Sequence, residues 1–195
     1  MMKAFILIVM TFPGVSCSNN SGKPAIIPQQ NKIEINTDFF PVTNFIKGQI
    51  VEMGRNGINP LKITSAGKKV DSTWLKIEEL NTAFIDFLTP IIDSSNLHSF
   101  FKENKFLDQT LHTYTFTYEP LTPLPDSIKL QRWDVYIDPD NNSVKRIYME
   151  KNISGTKKLL LTWQSSQWCR IVTVAPNASG KELIEKEIEI KWSFE

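Results

Sequence analysis

Histidine and cysteine are nearly absent from this chain of 195 residues, which holds only His98, His112, Cys17 and Cys169. That scarcity excludes a histidine-rich metal site, and neither Cys-x-x-Cys nor His-x-x-x-His spacing occurs. A secreted domain stapled by disulfides would need an even set of cysteines within its folded part. Glycine is sparse as well, at 8 residues, and no Gly-rich phosphate loop or Gly-x-Ser-x-Gly elbow is present. Gly54-Arg55-Asn56-Gly57 follows a helical pattern instead of preceding one, so it reads as a helix C-cap and turn. Charge of one sign is also lacking: the formal net charge is +1, and Lys3 is the only charged residue of the first sixteen. Nucleic-acid binders concentrate Lys and Arg on a face or in a run, which this chain does not do. Its densest basic pairs, Lys68-Lys69 and Lys157-Lys158, read as solvated hairpin tips. No segment approaches the ~20 apolar residues of a membrane-spanning helix.

What is present begins with an address. Lys3 precedes an apolar run from Ala4 to Met10, and small residues lead to a cysteine in Gly14-Val15-Ser16-Cys17. The run has the length of a signal h-region. These residues resemble the lipobox of bacterial lipoproteins, whose cysteine is acylated and becomes the new N-terminus; Gly14 stands where that family usually has Leu. Gly14-x-Ser16 also fits ordinary secretory cleavage, which would release an unanchored protein. The expected organisation is a signal peptide over 1–16, a lipidated Cys17 with a polar, Pro-containing tether over 17–36, and one domain over 37–195. The lipid implies palmitate-type acylation and anchoring in the cell envelope, at the outer membrane in preference to the inner, with the side of the membrane left open.

Within the folded part, Val42, Phe45, Ile46, Ile50 and Met53 recur at helical steps and predict an amphipathic helix ending near Gly54, with Thr37-Asp38 as N-cap. A small hairpin is expected around Ala66-Gly67, and a second helix from Leu75 to Leu88 carries Ile77, Leu80, Phe84, Phe87 and Leu88 on one stripe. Leu97, Phe100 and Phe101 suggest a further helical turn. From Leu111 the period becomes two, through Tyr114, Phe116 and Tyr118, then Trp133, Val135 and Ile137, and finally Ile188, Ile190, Trp192 and Phe194. Val144–Glu150, Leu159–Trp163 and Trp168–Val174 lie between, separated by turns such as Asp138–Ser143 and Ser154-Gly155. The Pro-containing stretch Glu119–Pro125 is read as an extended connection over an edge. The expected class is α+β: two N-terminal amphipathic helices with a small hairpin between them, packed on a C-terminal antiparallel meander of about six strands.

Sites are harder to nominate. The oxygens of Asp138, Asp140, Asn141 and Asn142 suit a hairpin turn, because a calcium loop also requires a Gly at the sharp bend and a distal Glu. Cys169, alternating with Ile171, reads as a buried inert thiol. Tyr114, Phe116, Tyr118, Trp133 and Trp163 would form a patch for a partner or an apolar ligand if the helices left them uncovered. Asp71-Ser72-Thr73 and Asp126-Ser127-Ile128 resemble Asp-Ser/Thr-apolar O-glycosylation sites of Bacteroidota envelope proteins, although Ser72 also suits a helix N-cap. The Cys-terminated signal, polar tether, Phe39-Phe40…Phe45-Ile46 helix start, hairpin, helix and meander together resemble lipoproteins of the Bacteroidota envelope. That resemblance implies a location and no particular activity. The expectation is a non-enzymatic binding or assembly module with no cofactor, metal or nucleic acid. Its partners are the membrane through the lipid and an envelope protein or apolar ligand. The alternatives are a lipid carrier or sensor and an envelope-polymer hydrolase.

Overall fold

The computed structural model describes residues 39–93 and 96–193. The signal over 1–16, Cys17, the tether over 17–36, the Thr37-Asp38 cap and Phe194 lie outside the described residues. The α+β expectation is corrected: the fold is mostly one nine-stranded antiparallel sheet, with 48% strand and 16% helix among the described residues. Helix α1 (Val42–Arg55) comes first, then β1 (Leu61–Ala66) and β2 (Lys69–Trp74). A helical segment follows, and the chain ends in seven strands: β3 (Phe101–Asp108), β4 (Thr113–Pro120), β5 (Leu130–Ile137), β6 (Val144–Ser154), β7 (Lys157–Gln164), β8 (Trp168–Pro176) and β9 (Glu182–Lys191). Their spatial order is β2-β1-β9-β8-β7-β6-β5-β4-β3.

Each departure from the sequence expectation has a physical cause. The 75–88 stretch is not one helix but a 3-10 turn at Ile77–Glu79, then α2 (Leu80–Ala83) and α3 (Ile85–Leu88), interrupted at Phe84. Asn81 and Thr82 are weak helix formers, and Phe84 leaves helical geometry while its side chain is driven into the core at 0% exposure. Trp74 and Ser72 belong to β2, so Ser72 caps no helix. The hairpin of β1 and β2 is no separate element, because β1 pairs with β9 from Leu61↔Lys191 to Ser65↔Glu187 and so extends the sheet. Phe101 opens β3 instead of closing a helical turn. As an edge strand β3 buries only Phe101, and so its sequence shows no alternation.

One face of the sheet, the inner face, is covered. Val42, Ile46, Ile50 and Met53 of α1, joined by Leu80, Phe84, Phe87 and Leu88, pack on Trp133, Val135, Ile147, Met149, Leu161, Trp163, Cys169, Ile171 and Ile190. Helix α1 ends where Arg55 gives way to Gly57 at φ +66°, a conformation that favours glycine, and Ile58 N donates to Met53 O at 3.0 Å. Two aromatic groups dominate the core. Trp133 stacks on Tyr118 at 4.5 Å, with Phe39 and Phe101 edge-on at 5.8 and 4.8 Å. Trp163 meets Phe84 at 5.1 Å, Phe87 at 5.3 Å and Trp192 at 4.9 Å.

The two tryptophans differ in their polar atoms. Trp163 Nε1 donates to Gln49 Oε1 at 2.7 Å and so ties α1 to the sheet, whereas Trp133 Nε1 is buried with no hydrogen-bond partner among the described residues. Trp163→Ala is expected to lower unfolding free energy by about 3–5 kcal/mol in urea titrations. Trp163→Phe should cost about 1 kcal/mol more than Trp133→Phe, because only the former removes a hydrogen bond, leaving the half-buried Gln49 Oε1 with Ser166 N at 3.3 Å alone. Equal costs for the two Phe variants would show that the Gln49 contact contributes nothing.

Candidate functional site

The five aromatic residues nominated from the sequence do not form one surface. Tyr118, Trp133 and Trp163 are fully buried, while Tyr114 and Phe116 are half-buried on the inner face toward the β3 edge. The Tyr118 hydroxyl accepts a hydrogen bond from Phe40 N at 3.1 Å, and burial, helped by Glu103, raises its pKa far above the ordinary tyrosine value. Tyr118, Trp133 and Trp163 are core, and the inner face beneath the helices is occupied by the chain's own side chains, whereas Tyr114 and Phe116 stay partly open at the β3 edge. Ser72 lies exposed on β2, and Ser127 is exposed in the connection between β4 and β5.

The Asp138–Ser143 oxygens serve their own hairpin. Asp138 Oδ1 accepts from Asp140 N at 2.9 Å, its other oxygen pairs with Lys145 at 3.1 Å, and Asn141 Oδ1 accepts from Ser143 N. Those contacts, the backbone hydrogen bond foremost, lower the Asp138 pKa. His112 Nε2 lies 3.2 Å from Asp140, and His98 stacks on Phe39 at 5.0 Å. Among the described residues no group of three or more His, Cys, Asp or Glu is arranged to hold a metal. Burial raises the pKa of Cys169 well above that of a free thiol, so it stays protonated and a poor nucleophile.

The outer face carries the more distinctive arrangement. Cross-strand partners share a face, and the register strings one row across all nine strands: Trp74, Leu61, Lys191, Trp168, Gln164, Arg146, Tyr136, Thr115 and Phe106. With neighbouring strands about 4.8 Å apart, its aromatic residues stand three, three and two strands from one another, roughly 14, 14 and 10 Å. Trp74 and Phe106 are 59% and 52% exposed, and Trp168 and Tyr136 are half-buried. Arg146 lies over the Tyr136 ring at 4.2 Å and Arg170 over Trp168 at 5.5 Å, which sets one cation against each ring.

The next row holds the charges. It runs through Asn104, Thr117, Asp134, Tyr148, Thr162, Arg170 and Glu189. Asp134 is only 3% exposed, yet it faces outward and pairs with Arg132 at 3.2 Å. Arg132, Asp134, Tyr136, Arg146, Tyr148, Glu150 and Thr162 enclose a depression of about 410 Å³. Burial raises the pKa of both Tyr136 and Tyr148, and the Asp134 charge adds to it, so both hydroxyls stay protonated as hydrogen-bond donors. The depression thus offers rings, hydroxyl donors and fixed dipoles, a chemistry of recognition. No protein family, curated protein or solved structure matches the chain.

A second polar feature is structural. Lys151, 6% exposed, points inward from β6 and its Nζ donates to the carbonyls of Asp86 and Thr89 around the end of α3. It thereby satisfies carbonyls that the helix end leaves open. Burial lowers its pKa to about 8, opposed in part by the Asp86 charge. Below pH 8 both the folded and unfolded chains hold this proton. Between there and the ordinary value of 10.5 the folded chain has released it and the unfolded chain has not, so stability rises with pH. Unfolding free energy relative to Lys151→Met is expected to climb by ~3 kcal/mol at most between pH 7 and 10.5. A flat difference across that range in denaturant titrations would show that the ammonium is not desolvated.

Proposed function

We propose that the chain is a lipid-anchored protein of the cell envelope whose folded part binds a partner through the outer face of its sheet, without catalysis. The observation that carries this reading is the outward-facing row of Trp74, Trp168, Tyr136 and Phe106 beside the depression around Asp134. A solvated sheet face needs no aromatic rings and no buried carboxylate for stability, because a buried ion pair is at best weakly stabilising. Local rules are broken most often where a protein acts. The anchor rests on the lipobox-like Val15-Ser16-Cys17 and on the polar residues after it.

Two other readings have less support. A lipid carrier needs a broad uncovered apolar surface on the inner face, and Tyr118, Trp133 and Trp163 are spent on the core, which leaves Tyr114 and Phe116 partly open at one edge. A polymer hydrolase needs carboxylates poised for proton transfer, and those bordering the outer depression are neutralised, Asp134 by Arg132 and Glu150 by Lys158 at 3.7 Å.

The reading predicts two outcomes. In detergent phase separation the intact chain should enter the detergent phase and Cys17→Ser the aqueous phase, and the intact chain should carry the added mass of acyl groups on its N-terminal cysteine. The unanchored Cys17→Ser chain should still co-sediment with isolated cell-envelope material, and adding Tyr136→Ala with Arg146→Ala should abolish that association while the melting temperature stays within a few degrees. Undiminished co-sedimentation of the folded triple variant would overturn the outer face as the binding surface.

A further inference from the structure

We infer that the outer face binds a single chain of a neutral polysaccharide, laid across the strands along the row from Trp74 to Phe106. This rests on the binding reading above and adds the chemical class of the ligand. The first argument is charge. Each carboxylate named on this face already has a cation: Asp134 has Arg132, Glu119 has Lys102 at 3.9 Å, Glu150 has Lys158, Glu187 has Arg170 at 3.1 Å, and Glu189 has Lys191 at 3.0 Å. Arg146 is held over Tyr136. A polyanion finds no stretch of uncompensated cations here, and a polycation no uncompensated acids.

The second argument is the spacing and kind of the rings. Indole and phenol faces stack on the C–H face of a pyranose, while flanking amide, guanidinium and carboxylate groups hydrogen-bond its hydroxyls. The row supplies both, since Gln164 lies between Trp168 and Arg146 and the Tyr136 hydroxyl stays protonated. The interval between strands, about 4.8 Å, is close to the length of one pyranose unit in an extended chain. Rings three, three and two strands apart therefore fall in step with every third or second sugar. An apolar protein partner would need a continuous apolar patch, and between Trp168 and Tyr136 the row places Gln164 and Arg146 instead.

The third argument selects a single chain over a flat crystalline surface. Successive strands turn by about 20–25°, so rings three strands apart are rotated by roughly 60–75°. One plane cannot lie against three such rings, whereas one polymer chain can follow them.

The test is affinity electrophoresis of the full chain in native gels containing soluble xylan, mannan or mixed-linkage glucan, with heparin as the polyanion. At least one neutral polymer should retard the protein and heparin should not. Trp168→Ala and Tyr136→Ala should each weaken retardation about tenfold, the worth of one aromatic contact, while Trp168→Phe retains most of it. Because Trp168 and Tyr136 are half-buried, melting temperatures accompany each variant, and a variant that unfolds is replaced by its Leu counterpart, which keeps apolar bulk and removes the ring. Retardation by heparin alone overturns the inference, as does retardation by a neutral polymer that Trp168→Ala leaves intact. If no neutral polymer retards the chain while Tyr136→Ala with Arg146→Ala still abolishes co-sedimentation with envelope material, the ligand class is wrong and the binding face stands. If co-sedimentation survives those substitutions, the binding face itself is wrong.

Discussion

The constraint that organises this molecule is the need to cover one face of a nine-stranded sheet with very little helix. A single 14-residue helix and two four-residue helices do most of the covering. Aliphatic side chains on so few helical turns could not reach across the strands. Large rings supply the volume from the strands themselves, with Trp133 and Trp163 standing up from β5 and β7 to meet Phe39, Phe84 and Phe87. Because an aromatic side chain buries about 150–250 Å², a few of them substitute for a whole layer of helix. The hydrogen bond from Trp163 to Gln49 then fixes how α1 sits on that layer.

The two faces solve opposite problems with different polar devices. Inward, Lys151 is buried where the short helix α3 ends and meets carbonyl oxygens, so its charge is tolerated only because it completes a helix terminus. Outward, Asp134 is buried among neighbouring side chains and held by Arg132. The first is explained by the backbone it serves. The second has no backbone to serve, which is why the outer face, with its propped rings, is the better candidate for recognition. An Arg over a ring also fixes that ring's orientation and spares a ligand part of the ordering cost.

How much of this was legible in the sequence depends on what each signal measures. Alternation in Tyr114–Tyr118, Trp133–Ile137 and Ile188–Ile190 reports a strand with one buried face, and these residues do lie in β4, β5 and at the end of β9, with Trp192 just beyond it. β2 and β3 gave no such signal because edge strands bury little on either side, with every residue of β2 exposed. The helical spacing of Leu80, Phe84, Phe87 and Leu88 does mark a buried stripe, but periodicity cannot register a break in the backbone at Phe84. For the site the failure was more specific. Aromatic residues at alternating positions signal burial, so Tyr118, Trp133 and Trp163 attracted notice and proved to be core. Trp74, Trp168, Tyr136 and Phe106 are scattered through the sequence, and only the pairing register aligns them. Register is set by tertiary contacts and turn geometry, and a slip of one residue would send half the row to the other face.

A row of side chains on an open face, unlike an enclosed pocket, buries little of its ligand and leaves water at hand. Each ring contact contributes modestly, and the cost of immobilising a polymer offsets much of the gain. Such a face is effective only if several contacts are made at once or several copies act together. The proposed lipid anchoring would meet the second condition. Anchored copies in one membrane are linked weak sites, and such sites gain apparent affinity by factors of about 10²–10⁴ without new contacts when they engage one polymer together. The proposed anchor and a shallow repeating face are therefore mutually consistent: the first would raise local concentration, and the second needs it. A deep pocket of high affinity would not require such crowding.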